Sequence, residues 1–177
     1  MISDPRFVII AGTARNVGKT TLACQIISSF QNKKVIALKF ITLKKDGFKH
    51  AHHQQVKTFE LIEEQVKAIE EYSEKDTHKM LRSGAQQSFM LVSQEECISE
   101  AIKSFLVKAK GADVIVVESA TLRKYLEPKA FIIVDRPDAE QKKAYIQELI
   151  PLSDYQISNI KDELQVESLF LKLNQSF

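Results

Sequence analysis

The residues best suited to chemistry lie together in FVIIAGTARNVGKTTLACQIISSF, Phe7 to Phe30. Gly12, Thr13, Arg15, Asn16, Val17, Gly18, Lys19, Thr20 and Thr21 have the types and order of a loop that cradles phosphate. Gly18 lets backbone approach an oxyanion, and successive amide groups backed by the positive end of a helix hold it there. Lys19 supplies a mobile charge for terminal phosphates, and the Thr20 hydroxyl is placed to ligate Mg²⁺. The context fits this chemistry. Phe7 to Ala11 predicts a buried strand, and Leu22, Ile26 and Phe30 mark one face of an amphipathic helix beginning near Lys19. The strict motif has four residues between its glycines, whereas Gly12 and Gly18 enclose five, so Thr13 stands where the first glycine would be.

Other groups extend the site. Asp113 to Val117 is a β-branched run closing in Glu118, where a magnesium-organising carboxylate is expected beside such a loop. Lys39 lies at the carboxyl end of a predicted strand, Val35 to Phe40, the end where ligands collect in open α/β sheets. Lys19, Lys39 and Glu118 are therefore the candidate catalytic groups, with Thr20 and Glu118 as metal ligands. Lys44, Lys45, Lys49, His50, His52 and His53 form a basic run that faces phosphate, is solvated or binds metal. Zinc is the weaker of these readings, because no acidic or cysteine partner stands at ligand spacing. Asp135-Arg136-Pro137-Asp138 keeps part of an Asn-Lys-x-Asp guanine-reading run. Asp138 is either a base reader or a helix cap.

These groups need a scaffold. Beyond the first two strands, the pattern predicts an amphipathic helix from Gln54 to about Glu74 (Val56, Phe59, Ile62, Val66, Ile69) and a short helix ending at Gly84. A strand over Ser88 to Val92 follows, then a Ser93/Glu96 capping box opening a helix that carries Ile98, Ile102, Phe105 and Leu106. Ala130 to Val134 reads as a strand and Ala139 to Leu149 as a helix broken by Pro151. Tyr155 to Ser158 is a candidate edge strand, before a closing helix with Leu164, Leu169 and Leu173 inward. Strands alternating with helices imply an α/β fold, a three-layer doubly wound and mostly parallel sheet.

Composition narrows the classes. The 177 residues fit one domain spanning 1–177, and 44% hydrophobic with 27% charged residues is ordinary for a soluble chain. No stretch approaches the ~20 apolar residues of a membrane span. Asp4, Pro5 and Arg6 directly before the first strand leave no room for a signal peptide, so a cytoplasmic location is expected. Cys24 and Cys97 lack disulfide or zinc spacing and read as buried reduced thiols. A net charge of +2 without a basic, aromatic-laced stripe gives no support for nucleic-acid binding.

The loop GTARNVGKTT resembles that of dethiobiotin synthetase and related simple dimeric phosphate-loop proteins. The middle of the chain is more similar to the molybdopterin-guanine dinucleotide biosynthesis protein B family. In that family a Lys-His-x-His-His run, an Asp-Ser/Thr segment leading to Arg and Gly-Ala, and a strand ending Val-Glu-Gly recur in order. Here they are Lys49 to His53, then Asp76-Thr77 through Arg82, Gly84 and Ala85, then Val117-Glu118-Ser119. The departures are the longer glycine spacing, Arg82 one residue closer to Gly84, a basic run lying further past Leu38, and Ser119 in place of glycine. The bridging lysine of the dimeric loops would fall at Ala14, with Arg15 as a neighbouring substitute.

The resemblance implies a P-loop NTPase fold, a Mg²⁺-dependent GTP or ATP site and commonly a homodimer. The leading expectation is nucleotide, most often GTP, bound and slowly hydrolysed to serve a cofactor-assembly protein. An alternative is an ATP-dependent phosphotransferase or ligase, with Lys39 and the basic run holding an acidic or phosphorylated second substrate. A third is a non-catalytic adaptor gated by nucleotide.

Overall fold

The computed structural model describes residues 1–30, 32–43, 58–64, 74–136 and 144–177. Lys44 to Lys57, with the basic run, and Asp138 lie outside the described residues, as does most of the expected 54–74 helix. In chain order the elements are β1 (Ile2–Gly12), α1 (Lys19–Ser29), β2 (Val35–Leu43), β3 (Phe59–Glu63), α2 (Asp76–Arg82) and β4 (Gln87–Gln94). They continue with α3 (Ile98–Lys108), β5 (Val114–Glu118), β6 (Leu126–Val134), β7 (Tyr155–Ile157) and α4 (Glu163–Ser176). Among the described residues the strands form one sheet in the order β3-β4-β2-β5-β1-β6-β7, parallel throughout except for the antiparallel β3–β4 pair. This is an α/β fold with helices on both faces.

Alternation along the strands builds two cores. Phe7, Ile9, Leu38, Phe89, Leu91, Ile115, Val117 and Phe131 pack on one face with Ile98, Ile102 and Phe105 of α3. Phe105 meets Phe7 and Phe89 edge to face, with centroids 6.4 and 5.5 Å away. On the other face Val8, Ile10, Ala37, Val116 and Ile132 pack with Leu22 and Ile26 of α1, Met80 of α2, and Val166, Leu169 and Leu173 of α4. Both faces of β1 are covered, which is why Phe7 to Ala11 is uniformly apolar.

Several expectations are corrected. Phe59 to Glu63 is a strand, not helix: Phe59 and Leu61, two apart, both pack on the α3-side core, and the segment pairs with Ser93 back to Phe89 of β4. The stripe at helical spacing fitted by accident over a short window, and strand pairing decided the outcome. β1 begins at Ile2, before the predicted start. Pro5 is accommodated where the β1–β6 ladder slips register between Asp4 and Val8, so its missing N–H breaks no ladder bond.

The capping box does not form. Ser93 is buried in β4 with its hydroxyl donating to the Gln94 carbonyl (2.8 Å), and a 3₁₀ turn, Glu95–Cys97, leads into α3. The expected 139–149 helix is, over its described part, a 3₁₀ turn at Ala144–Ile146 followed by turns, and a second 3₁₀ turn at Ile150–Leu152 contains Pro151. Leu164 is 80% exposed, and Val166 takes the inward position with Leu169 and Leu173. Asp162 caps α4 by accepting from the Gln165 amide.

Candidate functional site

Strand register brings the site together. Lys39 of β2 and Ile10 of β1 are the direct neighbours of Glu118 at the end of β5. Lys39 continues the face of Val35 and Ala37, and Glu118 that of Val114 and Val116, so both point to the side covered by α1 and α2. Each helix presents its first turn there. Thr20 Oγ1 donates to Glu118 Oε2 at 2.7 Å, and the Lys39 ammonium lies 2.5 Å from Glu118 Oε1 and 2.9 Å from Asp76 Oδ2. Four residues from four elements thus share one polar cluster, with the Glu118 side chain 4% exposed.

β2 runs on to Leu43, so Lys39 is not at its end as expected; β5 stops level with it, and a crevice opens beyond. A cavity of about 690 Å³ occupies this crevice, lined by Arg15, Asn16, Gly18, Lys19, Thr20 and Thr21, by Lys39 to Leu43, and by Asp76, Glu118 and Tyr145. Thr42 and Thr121 share a 2.6 Å hydroxyl contact on its wall, and the Ser119 hydroxyl accepts from the Thr121 and Leu122 amides to shape the turn after β5.

The loop between β1 and α1 has positive φ at Asn16 (55°) and Gly18 (99°). Among the described residues no side chain caps α1 and no acidic residue sits in its first turn, so no side chain offsets the positive end of the helix. Gly12 is required by close approach: a Cβ there would fall 2.7 Å from both Lys19 Cδ and Val17 Cγ2. Of the remaining predicted loop residues, Val17 is buried, Arg15 is exposed at the cavity, and Thr13 turns away, donating to Asp135 Oδ1 at 2.5 Å and anchoring the loop to the end of β6.

Burial and pairing set the charge states at the site. Burial pushes the Lys19 ammonium below the ordinary lysine range, with Lys39 adding to the effect against Glu118 and Asp76. Among the described residues its ammonium donates to the Ala14 carbonyl at 3.2 Å. At Lys39 burial acts the same way, but Glu118 and then Asp76 outweigh it and raise the pKa. Burial would raise Asp76, yet Lys39, Thr20 and Lys79 hold its carboxyl below the usual value.

Among the described residues no three His, Cys, Asp or Glu side chains are grouped as a metal cage. Two carboxylates and a hydroxyl facing the cavity have the oxygen donors that suit a hard ion. The sequence reading assembled Lys19, Thr20, Lys39 and Glu118 but missed Asp76 as a member. The available signal was an acidic residue at the start of a helix, just after Lys75.

No protein family, curated protein or solved structure matches the chain. Among the described residues no helix is long and apolar enough to cross a membrane. Cys24 and Cys97 are free and half-buried, and burial raises the Cys24 thiol, which disfavours the reactive thiolate.

Proposed function

We propose that this chain is a P-loop NTPase that binds a nucleoside triphosphate with Mg²⁺. The observation that carries the reading is the convergence of Thr20, Glu118, Lys39 and Asp76 beside Lys19 at an uncapped helix start. Thr20, Glu118 and Asp76 would hold the ion, which when bound neutralises terminal phosphate oxygens and orients them for attack. The loop from Ala14 to Thr20 and the start of α1 cradle the phosphates, and Lys19, poorly partnered and partly desolvated, gains its strongest acceptor when they arrive. Lys39 presents a second ammonium to the terminal phosphate.

Within this class the leading reading is GTP binding with slow hydrolysis in cofactor biosynthesis, of the molybdopterin-guanine dinucleotide type and in service of an assembly partner. The position of Lys39 inside the cavity favours a second reading: ATP-dependent transfer to an acidic acceptor, as in dethiobiotin synthetase. Thermal stabilisation by ATP, GTP and other triphosphates with Mg²⁺ tests both, since ligand at ~100 times its dissociation constant stabilises by about 2.7 kcal/mol. GTP should give the larger shift, and Lys19→Ala should abolish it while leaving the fold intact. A preference for ATP moves the assignment to the ligase, and a full shift in Lys19→Ala removes the phosphate-loop reading.

A further inference from the structure

We propose that Lys39 is a built-in counter-ion of the metal position, which a divalent cation must displace, so that metal and phosphate enter together and metal alone is excluded. This concerns the regulation of the site just described and rests on that reading. The ammonium occupies the space between the carboxylates, 2.5 Å from Glu118 and 2.9 Å from Asp76. Magnesium holds oxygen at about 2.0–2.1 Å, so an ion shared by the same two groups would stand within about 4 Å of the Lys39 nitrogen unless that side chain left. Counting Lys19, two carboxylates already face two ammonium groups, which leaves no net charge to draw a divalent ion out of water.

Of the clustered groups, Lys39 has the longest and most flexible stem. Its side chain is 22% exposed, against 4% for Glu118 and 36% for the shorter Asp76, and it already lines the open cavity. Asp76 and Thr20 are fixed in the first turns of their helices. Leaving the carboxylates strands the ammonium unless an anion waits in the cavity, and a terminal phosphate beside Lys19 supplies one. Metal entry is thereby coupled to phosphate, and the ion position stays closed to metal alone.

The test titrates Mn²⁺ alone, read by loss of its free electron paramagnetic resonance signal, into wild type, Lys39→Met and Lys39→Met/Asp76→Asn. Methionine keeps the stem and removes the charge; if that variant does not fold, Lys39→Gln replaces it. Relief of the repulsion between a divalent ion and an ammonium about 4 Å away should raise Mn²⁺ affinity at least about tenfold in Lys39→Met, and Asp76→Asn should cancel the gain. Equal affinity in wild type and Lys39→Met, including binding by neither, overturns the proposal, as does a gain that survives Asp76→Asn. The nucleotide reading fails separately, by absence of any Mg²⁺-nucleotide shift in wild type, whatever Mn²⁺ does.

Discussion

Substituting Gly18 tests whether the loop between β1 and α1 is held in a conformation that only glycine tolerates. Its φ of 99° lies in the left-handed region, and a Cβ would fall 2.3 Å from Ile160 Cδ1 and 3.0 Å from Ile160 Cγ1, in the segment between β7 and α4. Left-handed backbone costs an alanine about 1–2 kcal/mol. Forcing a methyl into the Ile160 contact adds about 1–3 kcal/mol. The lower chain entropy of unfolded alanine offsets about 0.5 kcal/mol, leaving Gly18→Ala destabilised by about 1.5–4.5 kcal/mol.

Only the steric part depends on Ile160. Ile160→Ala, at a half-buried position, should itself cost about 1 kcal/mol, while the double variant should be more stable than the sum of the two by about 1–3 kcal/mol. Urea denaturation followed by circular dichroism measures all four corners of the cycle. A Gly18→Ala variant within about 0.5 kcal/mol of wild type, or strict additivity, refutes the argument that backbone conformation and the Ile160 contact together fix this loop.

On the proposed function, Glu118→Gln should retain nucleotide affinity within a few fold and lose most turnover, because the carboxylate would act through the ion or the attacking water; unchanged single-turnover kinetics would demote it to a structural strand end. Asp76 has a folded pKa below its ordinary value, so its contribution is present above the unfolded pKa and lost as pH falls through the lower, folded one. Asp76→Asn should therefore flatten the acid limb of stability below about pH 4, measured by denaturation across pH, while leaving the contributions of Asp4 and Glu64, whose pKa values are also lowered, in place. An unchanged acid limb would mean that Asp76 is paired no better in the folded chain than in the unfolded one.

The parts of the molecule legible in the sequence are those decided locally. Phe7 to Thr21 encodes its own strand, loop and helix start, and the β-branched run to Glu118 could hardly be anything but a buried strand. Phe59 to Glu63 was misread because a five-residue segment fits a helical stripe and a strand almost equally well, and its identity comes from pairing with β4. Asp76 was missed for a related reason. Its role depends on α2 starting beside Lys39 across the sheet, a fact of strand order that no spacing along the chain reveals. Ser93 matched a capping signature yet stayed in β4, because the strand continued for another residue and buried it.

The two ends of the sheet carry a consequence for solubility. Among the described residues the bordering strands are β3 and β7, where backbone groups can template a further strand from another copy. β7 is only three residues long, and β3, though five, sets Glu60 and Glu63 outward into water. Any chain docking along β3 in register would bring its own glutamates against these, so the border repels its likeness. Neutralising Glu60 and Glu63 would remove that guard from the β3 edge.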